Sequence, residues 1–139
     1  MPYFYTLFYK AHVYGNQVIK ALYQEFPKDK NCRTIDRQFL VGSAFLVTPV
    51  LDRGKTTVDA YLPTSSKWYS YYDGSSVQTG NVNLNAPLNF INLHVRGGFI
   101  LPTQEPVCNI FLQWFRETKI KLFFLRQTIP FTVAKIHLD

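Results

Sequence analysis

The chain has 139 residues, the length of one ordinary domain and too short for a complete (β/α)8 barrel, which takes about 200 residues or more. Hydrophobic residues make up 47% and charged ones 17%, which excludes a disordered polar chain, and 17% aromatics calls for packed structure. The net charge of +6 is uneven: residues 1–106 hold ten basic and seven acidic side chains, residues 107–139 five and two, and all seven glycines lie at or before Gly98.

In chain order, residues 2–14 read as a helix. Phe4, Leu7, Phe8 and Ala11 recur at i, i+3, i+4 and i+7 on one face, Pro2 suits a first turn, and Gly15-Asn16 supplies a left-handed stop. The helix begins with no cap before it, as though its first turns were missing. Val18 to Phe26 has strand character and is closed by Pro27. Lys28 to Arg33 is a polar loop. Thr34 to Val41 is expected as a short helix capped by Thr34 and ended by Gly42.

From Ala44 the texture changes to short β-runs and turns. Residues 44–51, 57–62, 67–72, 81–84, 90–95 and 99–101 read as strands. Asp73-Gly74 marks one hairpin and Arg96-Gly97-Gly98 a second. Strands spaced this way suggest a β-sandwich. The order is therefore helix, strand, short helix, then all-β: an α+β fragment, the end of an α/β domain joined to part of a sandwich.

These segments carry a resemblance. The chain resembles glycoside hydrolase family 31, most closely its α-glucosidase group. The first matching segments are Pro2-Tyr3-Phe4-Tyr5-Thr6-Leu7-Phe8, Tyr23-Gln24-Glu25-Phe26-Pro27 and Ile35-Asp36-Arg37-Gln38-Phe39-Leu40-Val41-Gly42. Leu46-Val47-Thr48-Pro49-Val50-Leu51, Ala60-Tyr61-Leu62-Pro63, Trp68-Tyr69 and Ala86-Pro87-Leu88 follow. The last runs from Ile91 through His94-Val95-Arg96-Gly97-Gly98 to Glu105-Pro106. Each is weak alone; together, in the family's order, they cover some three quarters of the chain.

The resemblance implies that residues 1–42 are the last helix–strand–helix part of a catalytic (β/α)8 barrel, and residues 43–106 part of the proximal C-terminal β-sandwich. Lys20-Ala21 departs from the Arg-Pro usual in the group. After Pro106 the similarity stops, and residues 107–139 are expected to be a non-family tail from an intron read-through, a shifted frame or a gene-model artefact. The tail's basic and aromatic residues are ingredients for nucleic-acid or membrane contact. They lack a clean amphipathic period, so neither partner is expected. An oligomer is not expected either.

The resemblance also implies the chemistry: retaining hydrolysis of α-linked glucose oligosaccharides, without metal or organic cofactor. Retention needs two carboxylates about 5–5.5 Å apart, a nucleophile and an acid/base. In the family both aspartates, and the substrate-gripping His and Arg, lie upstream of residue 1, so no catalytic, substrate-binding or metal residue transfers to this chain. Relatives work in secretory, lysosomal or extracellular settings, and the chain holds no Asn-x-Ser/Thr sequon.

The remaining chemistry-bearing residues take bland readings. Glu25, at the end of a strand where barrel sites are built, is expected to orient a loop or pair with a nearby Lys or Arg. Asp36 is assigned to the first turn of the short helix, Asp73 to a turn, and Glu105, in a loop between prolines, to fixing that loop or the sandwich–barrel junction. His12, His94 and His137 are scattered, and Cys32 and Cys108 read as free thiols. Trp68, Tyr69, Tyr71 and Tyr72 read as core packing, with a sugar-stacking platform in a stand-alone carbohydrate-binding sandwich as the alternative.

Overall fold

The computed structural model describes residues 2–105, 119–124 and 132–136. Two compact units emerge: residues 17–97, and residues 1–16 together with 98–139. All strand pairs are antiparallel among the described residues.

Helix α1 (Pro2–Tyr14) has the expected extent. Gly15 takes φ +69° and its N–H donates to the Ala11 carbonyl at 3.0 Å, a left-handed stop that a β-carbon would strain. Strand β1 (Ile19–Lys20) is cut short, because helix α2 (Leu22–Glu25) occupies the rest of the expected 18–26 strand. In a strand, Gln24 would share a face with Leu22 and Phe26. One helical turn instead brings Leu22 and Phe26 together in the core, while the exposed Gln24 carboxamide accepts the Ala21 N–H at 3.0 Å.

The expected helix over 34–41 is also overturned. Asn31–Thr34 is a 3-10 turn and Phe39–Val41 is strand β2. β2 pairs with β3 (Phe45–Thr48), Leu40 opposite Leu46, so Gly42, at φ +64°, turns a hairpin rather than ending a helix. Asp36 thus lies in an exposed loop and not in a helix first turn.

Beyond Ala44 the strands fall where the alternation placed them: β4 (Thr57–Leu62), β5 (Trp68–Ser70), β7 (Gly80–Asn85) and β8 (Asn92–Arg96). A short β6 (Ser76–Val77) pairs with β5 across the Asp73-Gly74 turn, where Gly74 takes φ +71°. The larger sheet runs β1-β2-β3-β8-β5-β6, so pairing continues without a break across Ala44. β4 and β7 form a separate two-stranded sheet.

Leu22, Leu40, Leu46, Leu62 and Trp68 are at most 1% exposed and share one apolar cluster with Phe26, Cys32, Ala60 and Tyr61. Val82 and Leu84, the alternate residues of β7, pack against it. Each such large side chain contributes about 1.5–3 kcal/mol by leaving water. Predominantly antiparallel sheets around a common core agree with the sandwich half of the expected α+β architecture.

The second expected hairpin does not form. Both edges of β8 are taken by β3 and β5, leaving none for the following strand. β9 (Ile100–Glu105) pairs instead with β10 (Lys119–Phe124), which pairs with β11 (Thr132–Ile136). In that unit α1 packs on β9.

Candidate functional site

Lys20, at the end of β1, Glu25, at the end of α2, Ser43, in the β2–β3 turn, and Arg96, the last residue of β8, converge on one spot. Lys20 Nζ donates to Glu25 Oε2 at 2.8 Å and to the Ser43 hydroxyl at 3.0 Å. The Ser43 hydroxyl donates to Glu25 Oε2 at 3.0 Å, and Arg96 Nη1 to Glu25 Oε1 at 2.8 Å. Arg96 Nε also donates to Ser66 Oγ at 2.9 Å, and its guanidinium lies 4.6 Å from the centre of the Phe26 ring, a cation–π contact. Both carboxylate oxygens of Glu25 are thus occupied. The expected pairing of Glu25 with a nearby Lys or Arg is present, with both.

Partial burial pushes the Glu25 carboxyl up. Hydrogen bonds from Lys20 and Ser43, the Lys20 charge and the Arg96 bond outweigh it and hold the group below its usual range. A general acid in a glycosidase needs the opposite, a raised pKa that keeps its proton near neutrality. The geometry suits a tether between two segments, not a proton donor. A cavity of about 590 Å³ opens beside it, lined in part by Glu25, Lys28, Lys30 and Arg96.

The other carboxylates are dispersed. Asp29 accepts the Tyr61 hydroxyl at 2.7 Å, Asp59 the Asn83 carboxamide at 2.6 Å, and Asp73 the Ser75 hydroxyl at 3.0 Å. Asp73 is a turn residue, as expected; its bonds with Ser70 and Ser75 hold its carboxyl below the ordinary value. Arg37 grips Asp52 through both guanidinium nitrogens at 2.7 and 3.0 Å, a pair with no sequence signal beyond opposite charge. Glu105 sits in β9, paired with Lys119, and not in a loop; its side chain lies outside the described residues.

Trp68 is 1% exposed, its indole N–H donates to the Pro63 carbonyl at 3.0 Å, and its ring meets Phe26 edge-on. It is core, and a platform built on it is excluded. β5 ends at Ser70, which breaks the alternation: Tyr71 is half-buried against Phe45, while Tyr72 is exposed and donates its hydroxyl to the Ile91 carbonyl at 2.7 Å. Tyr69 is half-buried.

His12 is exposed on α1, whereas His94 is buried in the middle of the larger sheet with Nδ1 unpartnered. Cys32 is a buried free thiol, pushed up to about 12 by burial and then by Asp29. Cys108 and His137 lie outside the described residues. Among the described residues no group of three His, Cys, Asp or Glu could hold a metal ion, and no helix is long and apolar enough to cross a membrane.

Similarity to known proteins points one way. The chain is 50% identical over 111 residues to a probable maltase-glucoamylase 2 of Homo sapiens, covering 78% of this chain and 4% of that protein. It is 44% identical over 124 residues to the intestinal sucrase-isomaltase of Rattus norvegicus, covering 88% and 7%. The structure of a family 31 dextranase from Flavobacterium johnsoniae, complexed with glucose, superposes with a TM-score of 0.79 at 31% identity, over 90% of this chain and 15% of that one. This chain therefore spans a small part of the length of each. The family model for the glycosyl hydrolase family 31 C-terminal domain matches residues 15–101, the span holding Lys20, Glu25, Ser43 and Arg96, and with it the chain belongs to glycoside hydrolase family 31.

Proposed function

We propose that the chain is a C-terminal part of a retaining α-glucosidase-type hydrolase, acting on α-linked glucose oligosaccharides with no metal or organic cofactor. Its N-terminal portion closes the catalytic barrel and its β-sheets form the proximal sandwich. The nucleophile and the acid/base come from another part of the enzyme. The family match over residues 15–101 carries this reading.

The arrangement of the carboxylates supports it. A double displacement needs two carboxyl groups facing one sugar, one of them holding its proton. Here Glu25 is locked between two cations, and Asp29, Asp52, Asp59 and Asp73 each hold a local partner. The chain's contribution is then positional: Glu25 fixes the β1–α2 turn against the end of β8.

Transplanting residues 15–101 in place of the matching segment of a known α-glucosidase tests the reading. The chimera is expected to release glucose from maltose with retained anomeric configuration, while the 139-residue chain alone turns over no aryl α-glucoside. A soluble, folded chimera without activity, or turnover by the chain alone that Glu25→Gln abolishes, overturns it.

A further inference from the structure

A second cavity, of about 550 Å³, lies in the residue 17–97 unit, within the range of small-molecule sites of about 300–1,000 Å³. Its walls are the outer face of the β4–β7 sheet and the loop from Asn31 to Gln38. Register places Asn81 opposite Tyr61 and Asn83 opposite Asp59, so these polar residues form two rungs of one ladder. Asn81, Asn83 and Asp59 are exposed, as are Asn31 and Asp36 across the groove. Between them Ala60 is buried in the core and Ile35 and Val82 are half-buried against it, so the open surface of the groove is mostly polar.

The floor is fixed. The Tyr61 hydroxyl donates to Asp29 Oδ2 at 2.7 Å and accepts from the Asn31 carboxamide at 3.2 Å. The Tyr61 N–H donates to the buried Gln38 carboxamide at 2.8 Å. The two walls are therefore tied together before any ligand arrives, which lowers the ordering cost of binding.

The charge pattern selects the ligand class. Arg37, the cation in the lining, is held by Asp52, which also binds Lys55, while Asp36 and Asp59 place two carboxylates in the same lining and disfavour a phosphate or a polyanion. The remaining groups are carboxamides and carboxylates. Asn83 donates to Asp59 Oδ1 at 2.6 Å, and the second carboxylate oxygen, the Asn83 oxygen and its other N–H, with the Asn81 carboxamide, are left to match paired hydroxyl groups. Residues two apart on a strand stand about 7 Å apart, so Asn81 and Asn83 address neighbouring rings rather than one.

We propose that this groove binds a neutral oligosaccharide of two or three rings through Asn81, Asn83 and Asp59. The proposal stands on the groove alone and holds whether or not the enzyme reading survives.

The test is a titration of the 15N-labelled 139-residue chain with maltotriose, glucose and tripolyphosphate, following the side-chain amide resonances of Asn81 and Asn83. Maltotriose is expected to shift them saturably, glucose to bind about tenfold more weakly or worse, and tripolyphosphate to leave them unmoved. An Asn81→Ala/Asn83→Ala double variant, folded by its backbone spectrum, loses the response, while Tyr72→Ala keeps it. No shift at saturating maltotriose, a preference for tripolyphosphate, equal binding of glucose, or undiminished binding by the double variant would each overturn the proposal.

Discussion

Glu25 and Arg96 are 71 residues apart in the chain and 2.8 Å apart in the fold. Lys20 completes the pair from the other side, and all three side chains are about one-fifth exposed. At that depth water screens the charges only in part, and removing the shared anion leaves two cations facing each other.

Glu25→Gln is therefore expected to destabilise the fold by about 1–3 kcal/mol at neutral pH, read as a lower urea midpoint with an unchanged slope. The pH dependence has a fixed sign. Because the folded carboxyl is held below its ordinary value near 4.5, its stabilisation is complete above that value and disappears as pH falls through the folded one. Glu25→Gln removes that acid-side loss. An unchanged midpoint in the variant at neutral pH contradicts the tether.

His94 gives a second, separable pH signature. Its ring is 3% exposed on β8, opposite Leu46 of β3 and Ser70 of β5, and Nδ1 has no partner. Burial pushes it down to about 4 from an ordinary 6.5, so it stays neutral in the fold. An unfolded chain takes up the proton first as pH falls. Stability is therefore full above about 6.5 and declines towards about 4, by up to about 1.4 kcal/mol per pH unit. His94→Leu flattens that slope. Melting curves of both proteins between pH 7 and 4.5 check this, and parallel slopes exclude His94 as the source.

How much of this was legible depended on how far apart the deciding residues lie. From Ala44 onward, alternation and Gly-containing turns specify strands locally, and all six expected strands were found in place. Leu22-Tyr23-Gln24-Glu25-Phe26 fits both periods, since residues four apart share a face in a helix and also in a strand. Burial of Leu22 and Phe26 without Gln24 selects the helix, and only the tertiary core supplies that choice. Gly42 reads equally as a helix stop and a hairpin turn until Phe39 finds Val47. Arg96-Gly97-Gly98 announces a turn, but that β8 already has two neighbours is a property of the whole sheet. The Glu25 tether was legible as chemistry, a carboxylate near basic residues, while Arg96 as its partner was not. The groove beside Asn81 and Asn83 left no mark beyond the alternation of β7, because its opposite wall comes from a loop some fifty residues earlier.

The buried carboxamide of Gln38 joins three segments that no local pattern connects. Its amide donates to the Thr48 hydroxyl at 2.8 Å, and its oxygen accepts the Tyr61 N–H at 2.8 Å. Gln38 is 4% exposed and Thr48 fully buried, so water has little access to replace either bond. Gln38→Leu keeps the volume but leaves a buried backbone N–H without an acceptor, at a cost of about 1–3 kcal/mol. Hydrogen exchange separates this from a general packing loss. The Tyr61 amide is expected to exchange faster in the variant by more than the fall in global stability explains, while the Leu46 amide slows or quickens only with the global value. Equal acceleration at both positions would mean that the carboxamide merely fills space, and that the loop from Asn31 to Gln38 is held to β4 by the Tyr61 hydroxyl alone.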